Sequence, residues 1–484
     1  MKQLLMKYRY EVIAALSGSV VMMLELVGAR MMAPYFGTST YVWTAMIGVI
    51  LGALSLGYWY GGRLADKGAN DHSLMIIIVV ASLCVALTMW LQTLVLTLIA
   101  QLDIDVRIQA LITGLLLFAP ASALLGVVSP YVAKLKISSL QTAGASIGQL
   151  YAAGTLGSII GTFLAGYWLI AWFGNFHLGV GLVVALVGLS FIAEYQTLRL
   201  ARIAGVGIGV GLLLLTQTQN PNIVADIDSA YARYQVVETT QGENQKRYLM
   251  MDNLGVQSGI SVRDSDALIF PYTQAFQSVM QSYGTPSNLL VIGGGAYTFP
   301  RWAAQQTMHP QVDVVEIDPA LDAIASQYFA YSPRSNLRLT HEDGRLFLNR
   351  NTTQYDLVYI DAFASLTPPF QLATREATEH MRHALTDTGI MAVNVVASAD
   401  NDDPYLGSTY QTYQSVFPRV KIYQMQQEAL ISQRQNLLFL MGNEETMARI
   451  EPQLQLPSVA MPISGHVLSD DYAPVEQLIQ KSES

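Results

Sequence analysis

The sequence predicts a polytopic α-helical membrane domain followed by an α/β domain, and three observations carry that prediction. Six apolar, charge-poor stretches fall before residue 220, each long enough for the roughly 20 helical residues that cross a bilayer. From about residue 230 the pattern shortens to alternating apolar and polar residues between polar turns, as in a small β-rich subdomain. From about residue 286, buried strands and amphipathic helices alternate, which predicts a mostly parallel, doubly wound sheet. The expected domains are therefore 1–222, 223–285 and 286–484.

Composition agrees. Charged residues make up 13% of the chain and hydrophobic ones 51%, against roughly 25% charged residues in soluble domains. A net charge of −9 gives no general reason to expect a nucleic-acid partner. Cys84 is the single cysteine, which excludes an intrachain disulfide framework and a cysteine-based zinc site. The first apolar stretch does not read as a cleavable signal, because further ones follow it.

The six stretches lie near 10–33, 41–62, 74–100, 108–133, 147–173 and 175–194. Lys2, Lys7 and Arg9 precede the first; Arg63 and Lys67 follow the second, Lys134 and Lys136 the fourth, Arg199 and Arg202 the sixth. The positive-inside rule then puts the N-terminus and the segment after the sixth stretch in the cytoplasm. A shorter apolar run at 203–215, with four glycines, disturbs the parity and widens the expectation to six to eight spans. At thirteen residues it is more typical of an interfacial or re-entrant segment. The expected location is thus the inner (cytoplasmic) membrane, multi-pass, with a cytoplasmic catalytic domain. The glycines of 152–166 are spaced for close helix packing.

In the soluble part, four motifs end successive strands, where ligands of doubly wound sheets bind. Gly293, Gly294 and Gly295 close "NLLVIGGG", and the missing Cβ atoms let backbone approach a ligand. Glu316 stands 23 residues beyond Gly293, near the spacing at which an acid hydrogen-bonds ribose hydroxyls. Asp343 in "HEDGRLFL" is placed to accept from an exocyclic amine or a backbone group, and Asp361 in "YIDAF" lies at the mouth of the next strand. Helix caps also favour Asp, but four such motifs in series point to a nucleoside site. The run lacks the G-x-G-x-x-G spacing of pyrophosphate binders, which favours S-adenosylmethionine or a relative over NAD.

These residues, in this order, resemble the spermidine synthase family of aminopropyltransferases over roughly 230–400, and the whole chain resembles the membrane-fused members of that superfamily. The resemblance implies a Rossmann-like methyltransferase/spermidine synthase fold. It makes Glu316 the ribose-binding acid, Asp343 the adenine-side acid and Asp361 the catalytic aspartate beside the reacting amine. Gln235, Gln257 and Tyr272 fall where the family places contacts to adenosyl or amine groups. It implies no cofactor or metal beyond S-adenosylmethionine or its decarboxylated form as substrate. Polyamine and the lipid bilayer are the other expected partners, and a homo-oligomer is expected from the family habit.

The departures fall on one side of the site. Where the family's glycine turn continues with Asp-Gly-Gly, this chain has Ala296-Tyr297-Thr298, and where the family has a second Asp after the strand-four acid, this chain has Ala364. The family's proline-tyrosine segment over the amine tunnel has no clear counterpart. Adenosine recognition is thus retained and diamine recognition depleted. Without an Asp at 296, the α-carboxylate of S-adenosylmethionine would no longer be repelled. Held in a folded conformation, that carboxylate could itself attack the γ-carbon. The sequence therefore favours a lyase releasing methylthioadenosine and homoserine lactone, with Tyr297 packed against the sulfonium or filling space left by Asp-Gly. The alternatives are aminopropyl transfer from decarboxylated S-adenosylmethionine to a polyamine, a nucleoside-sensing domain on a transporter, and a methyltransferase.

Overall fold

The computed structural model describes residues 7–37, 39–137, 139–195, 202, 222–241, 244–252, 255–362, 369–426, 429–462 and 464–482. The apolar run at 203–215 and Ala364 lie outside the described residues. The chain divides into two units, 1–221 with 226–233, and 222–225 with 234–484.

In the first unit the apolar stretches form α1 (Arg9–Phe36), α2 (Thr40–Asp66), α3 (Asp71–Ala100), α4 (Val106–Leu117), α5 (Ala119–Lys136), α6 (Ala143–Leu164) and α7 (Ile170–Ala193). A π-helical turn, Ala165–Leu169, joins α6 to α7. Among the described residues, five helices are long and apolar enough to cross a membrane, or six if α4 and α5, bent by 54°, make one span. That bent pair is the fourth apolar stretch of the sequence. Its break falls at Phe118, the residue before α5, whose second residue is Pro120, in the first turn, where a residue without a backbone N–H is tolerated. Short polar caps begin the spans: Ser39 accepts from Val42 N, Asn70 from Ser73 N and Asp105 from Arg107 N.

Small residues set how closely the spans pack. At Gly161 a Cβ would lie 2.5 Å from Ser19 Oγ, and at Gly157 it would collide with the Ala15 carbonyl. Backbones of α1 and α6 therefore touch directly, which is what glycine permits in lipid-facing bundles. At one end of the bundle, Arg9 Nη2 bonds Asp71 Oδ2 at 2.8 Å, Lys136 Nζ meets Glu11 Oε1 at 2.6 Å and Lys134 Nζ meets Asp66 Oδ1 at 2.7 Å.

The second unit opens with a four-stranded sheet of order β1-β2-β3-β4, formed by β1 (Ile223–Asp228), β2 (Arg233–Gln241), β3 (Asn244–Met251) and β4 (Gly255–Ser261). After α8 (Pro271–Tyr283) the alternation predicted from the sequence follows: β5 (Asn288–Ile292), α9 (Thr298–Ala304), β6 (Gln311–Glu316), α10 (Ala320–Tyr328), β7 (Leu337–His341), α11 (Gly344–Arg350), β8 (Tyr355–Ile360), α12 (Arg375–His383) and β9 (Leu385–Ser398). Then come α13 (Pro404–Gln414), β10 (Arg419–Gln424), β11 (Arg434–Gly442), α14 (Glu444–Ile450) and α15 (Val475–Ser482).

The large sheet has the order β10-β11-β9-β8-β5-β6-β7. β9, β8, β5, β6 and β7 are parallel; β11 adds antiparallel to β9, and β10 antiparallel to β11. The chain winds outward from β5 through β6 to β7, then returns to β5's other edge with β8. That reversal is the switch point, where doubly wound sheets bind ligands. Leu289, Leu290, Val291 and Ile292 in β5 are all buried, as are Leu357, Val358, Tyr359 and Ile360 in β8. Such continuous apolar runs are expected of parallel strands covered on both faces.

Replacing Gly157 by Val should lower the melting temperature of the detergent-purified protein, since overpacking costs about 1–3 kcal/mol or more where backbone is the obstacle. An unchanged melting curve would mean that α1 and α6 do not pack here.

Candidate active site

β5 and β8 end side by side, and both ends are glycine or acid. Asp361 N donates to Ile292 O at 2.8 Å, and Gly293 N donates to Val315 O at 2.9 Å. Gly293 has φ +91, and a Cβ there would collide with the Asp361 carbonyl. Gly294 lies against the ring of Tyr297, while a Cβ on Gly295 (φ +51) would lie 2.7 Å from Ser258 Oγ. The three glycines are thus required first by the protein's own packing, whatever ligand the turn also meets.

Glu316, at the end of β6, holds this turn. Its Oε2 accepts from Gly294 N at 2.8 Å and Gly295 N at 3.2 Å, and its Oε1 from Asp318 N at 3.1 Å. Burial pushes the carboxyl upward, and the amides of Asp318, Gly294 and Gly295 pull it part of the way back. Asp343 caps α11, its Oδ1 accepting from Arg345 N at 2.8 Å and Leu346 N at 3.1 Å, a role short acidic side chains fill well.

Asp361 is the most perturbed carboxyl at the switch point. Burial raises its pKa to about 6, opposed by hydrogen bonds from Asn394 and Tyr272, and the Glu316 charge pushes the same way as burial. Asn394 Nδ2 donates to Asp361 Oδ1 at 2.8 Å, and Asn436 Nδ2 donates to Asn394 Oδ1 at 3.1 Å. The second bond occupies the Asn394 oxygen, so its amide nitrogen faces the carboxylate. Tyr272 Oη lies 2.9 Å from the Gln257 carbonyl and also within reach of Asp361, so its single proton serves one of these acceptors at a time. Burial, then the Asp361 charge, holds its phenol well above its ordinary pKa, so it stays a neutral hydroxyl.

The structure brings Gly293, Gly294, Gly295, Glu316, Asp361 and Tyr272 together, with Gln257 reaching the group through its backbone. Gln235 is buried in β2 of the small sheet, paired across from Met250. Tyr297 is placed differently from a residue packed against a sulfonium. Its side chain is fully buried, its Oη donates to Asp322 Oδ1 at 2.7 Å, and its ring lies 5.1 Å from that of Tyr331. It fills space between the glycine turn and α10. Ala296 is likewise fully buried, its N–H donating to Ser258 Oγ at 3.1 Å. Sequence reasoning missed Asn394, Asn436 and Ser258. The signal was available for the first two, since each is an amide inside an apolar strand run, where a polar residue needs a reason.

A buried acid, an acid-held glycine turn and a helix-capping third acid stand at the strand ends where doubly wound domains bind ligands. Comparison with known proteins narrows the class. Residues 270–434 match the spermine/spermidine synthase domain. The polyamine aminopropyltransferase of Vibrio vulnificus is 28% identical over 165 residues, which cover 34% of this chain and 54% of that protein. The probable polyamine aminopropyl transferase of Bifidobacterium longum is 26% identical over 201 residues, covering 39% and 44%. The chain thus spans about half the length of these two relatives. A probable spermidine synthase structure from Corynebacterium glutamicum overlays with TM-score 0.41 and 20% identity, covering 49% of this chain and 89% of that one. The C-terminal half of this chain carries a spermine/spermidine synthase domain, behind a set of helices apolar enough to span a membrane.

The folded pKa of Asp361, about 6, lies above the ordinary 3.8. Its charge therefore disfavours the folded state. The penalty is absent below pH 3.8, grows up to about pH 6 and is complete above it, reaching about 3 kcal/mol. Asp361→Asn should accordingly melt higher than the parent protein at pH 7.5, with the gap closing near pH 4. A gap of the same size at both values would contradict the burial of this charge.

Proposed function

We propose that the C-terminal half transfers an aminopropyl group from decarboxylated S-adenosylmethionine to an amine, with Asp361 as the general base. Asp361 itself carries this reading. An alkylamine with pKa near 10 is almost wholly protonated at pH 7 and must lose a proton to attack. A carboxylate raised to about 6 is a better acceptor than an ordinary one, and a base near the working pH is the efficient choice. Intramolecular attack by the substrate's own carboxylate needs no base, so the sequence-level preference for a lyase loses its main advantage here.

In the proposed step the amine lone pair forms a bond to the γ-carbon as the carbon–sulfur bond breaks. The bonding pair goes to sulfur, neutralising the sulfonium and releasing methylthioadenosine. The ammonium proton passes to Asp361. Asn394 and Asn436 orient that carboxylate, and Tyr272, held neutral, offers a hydroxyl beside it. On the nucleoside side, ribose hydroxyls share the Glu316 carboxylate with the glycine-turn amides. Asp343 uses Oδ1 for the helix cap and has Oδ2 for an exocyclic amine.

One observation favours the lyase as a second reading. Position 296 is a buried alanine whose amide is bound to Ser258, so no carboxylate there opposes the α-carboxylate of S-adenosylmethionine. In that reading the carboxylate oxygen closes on the γ-carbon to give homoserine lactone.

The deciding experiment incubates detergent-purified protein with S-adenosylmethionine or its decarboxylated form, each with and without putrescine, and reads products by mass spectrometry. The expected result is methylthioadenosine and spermidine only when the decarboxylated form and putrescine are both present. Lactone from S-adenosylmethionine alone would replace this reading with the lyase. Asp361→Asn should lower kcat by about 10²–10⁴ with a small change in nucleoside KM. An equal loss in binding would make Asp361 a binding residue.

A further inference from the structure

Glu25 lies inside α1, the helix at the centre of the bundle: of Arg9–Phe36, only Leu16 is exposed. Among the described residues, no hydrogen bond or ion pair reaches its carboxylate. Acids that serve the bundle's structure are paired, as Glu11, Asp66 and Asp71 are with Lys136, Lys134 and Arg9. An unpaired ionisable group at membrane depth is costly, and it marks an ion or substrate path by default.

The neighbouring helices bring polar atoms to the same level. Glu25 and Ser122 each stand fourteen residues from the Glu11–Lys136 pair, along α1 and the antiparallel α5. From the Arg9–Asp71 pair, Glu25 is sixteen residues along α1 and Thr88 seventeen along the parallel α3. At a rise of about 1.5 Å per residue, all three lie about 21–26 Å from that charged end. The break between α4 and α5 falls here too. Gly28, one turn beyond Glu25 on the same face of α1, lies against Phe118: a Cβ there would be 2.9 Å from the Phe118 ring and 2.5 Å from Met46 Cε. The Thr88 hydroxyl donates to the Leu117 carbonyl at the break. Thr113 and Ser122, on either side of it, are fully buried, and their hydroxyls have no partner among the described residues.

Irregular backbone at membrane depth is tolerated where it lines a cavity, and discontinuous helices near the midplane are where transporters bind ions and substrates. Every unspent group here can accept: the Glu25 carboxylate and the Ser122 and Thr113 hydroxyl oxygens. The set carries one negative charge, with the Phe118 ring one turn away. An alkylammonium fits such a set, since it offers three N–H donors and is attracted to aromatic faces, whereas a hard divalent ion takes roughly six or more oxygens. The geometry points to a binding site for an alkylammonium at mid-depth in the helical bundle, formed by Glu25, Ser122 and the α4–α5 break. The bundle then binds an amine and does not merely anchor the chain. This site is independent of the proposed aminopropyl transfer, which concerns the other unit.

The test needs no turnover. Full-length protein in lipid nanodiscs is dialysed against radiolabelled n-butylamine near neutral pH, in a low-salt potassium buffer without nucleoside. The expected result is saturable binding, weakened roughly tenfold or more by Glu25→Gln, which removes a charge-assisted bond, and severalfold by Ser122→Ala. Both variants should melt as the parent does; where Glu25→Gln fails to fold, Ser122→Ala decides alone. Asp361→Asn should leave this binding unchanged, so failure here and failure of the proposed transfer are read separately. Absence of saturable binding, or binding that Glu25→Gln and Ser122→Ala leave unchanged, would overturn the proposal. So would loss of binding in Asp361→Asn alone, which would place the amine in the other unit. Displacement by sodium at the same concentration as the amine would make the site one for a metal ion, and would overturn it as well.

Discussion

Where β5 and β8 part, the backbone of Asp361 runs against Gly293 so closely that no side chain fits between them. The parallel register that pairs Ile292 with Ile360 ends at this junction, and the ends of both strands meet there. A Cβ at Gly293 would need both a left-handed backbone, which costs an ordinary residue about 1–2 kcal/mol, and displacement of the Asp361 carbonyl. Moving that carbonyl would move the carboxylate on the same residue. The position of the perturbed acid is therefore fixed by what is missing from its neighbour.

The acid that sequence spacing assigns to ribose already has a structural job. Glu316 accepts from the amides of Gly294 and Gly295, so the glycine turn is held by a carboxylate rather than by ligand. Asp343 similarly spends one oxygen on a helix cap. In both cases the structural and functional readings of an acidic residue are compatible, because a carboxylate has about four lone-pair sites and each structural bond uses one. In the proposed site a nucleoside would meet acids already aimed, which lowers the ordering cost of binding.

Much of this was legible in the sequence. Buried strands with acids or glycines at their ends announce a doubly wound sheet, and β5 to β9 lie where the alternation puts them. The antiparallel pair β10 and β11 was not read, because "RVKIYQ" and "RQNLLFLMG" follow the last helix–strand alternation and carry no turn signal that fixes direction. The bent fourth span reads as one apolar run, and only Pro120 hints at the break. At the site, residue identity shows which groups are present but not which way they point. Tyr297 sits beside the glycines in sequence yet turns into the layer between β6 and α10 to reach Asp322. Asn394 is 33 residues from Asp361, and only the pairing of β8 with β9 brings the two together.

The alanine at 296 changes meaning in this light. As a lost carboxylate it suggests a site relieved of its need for an amine. In the fold it is a fully buried position whose amide is tied to Ser258. An ionised aspartate there would face a large desolvation cost unless it reached solvent or a cation. Asp361 escapes the same cost only in part, through Asn394, Asn436 and Tyr272, and its raised pKa records the remainder. In the proposed transfer, this one buried acid, supported by a chain of amides, is the group that takes the amine's proton.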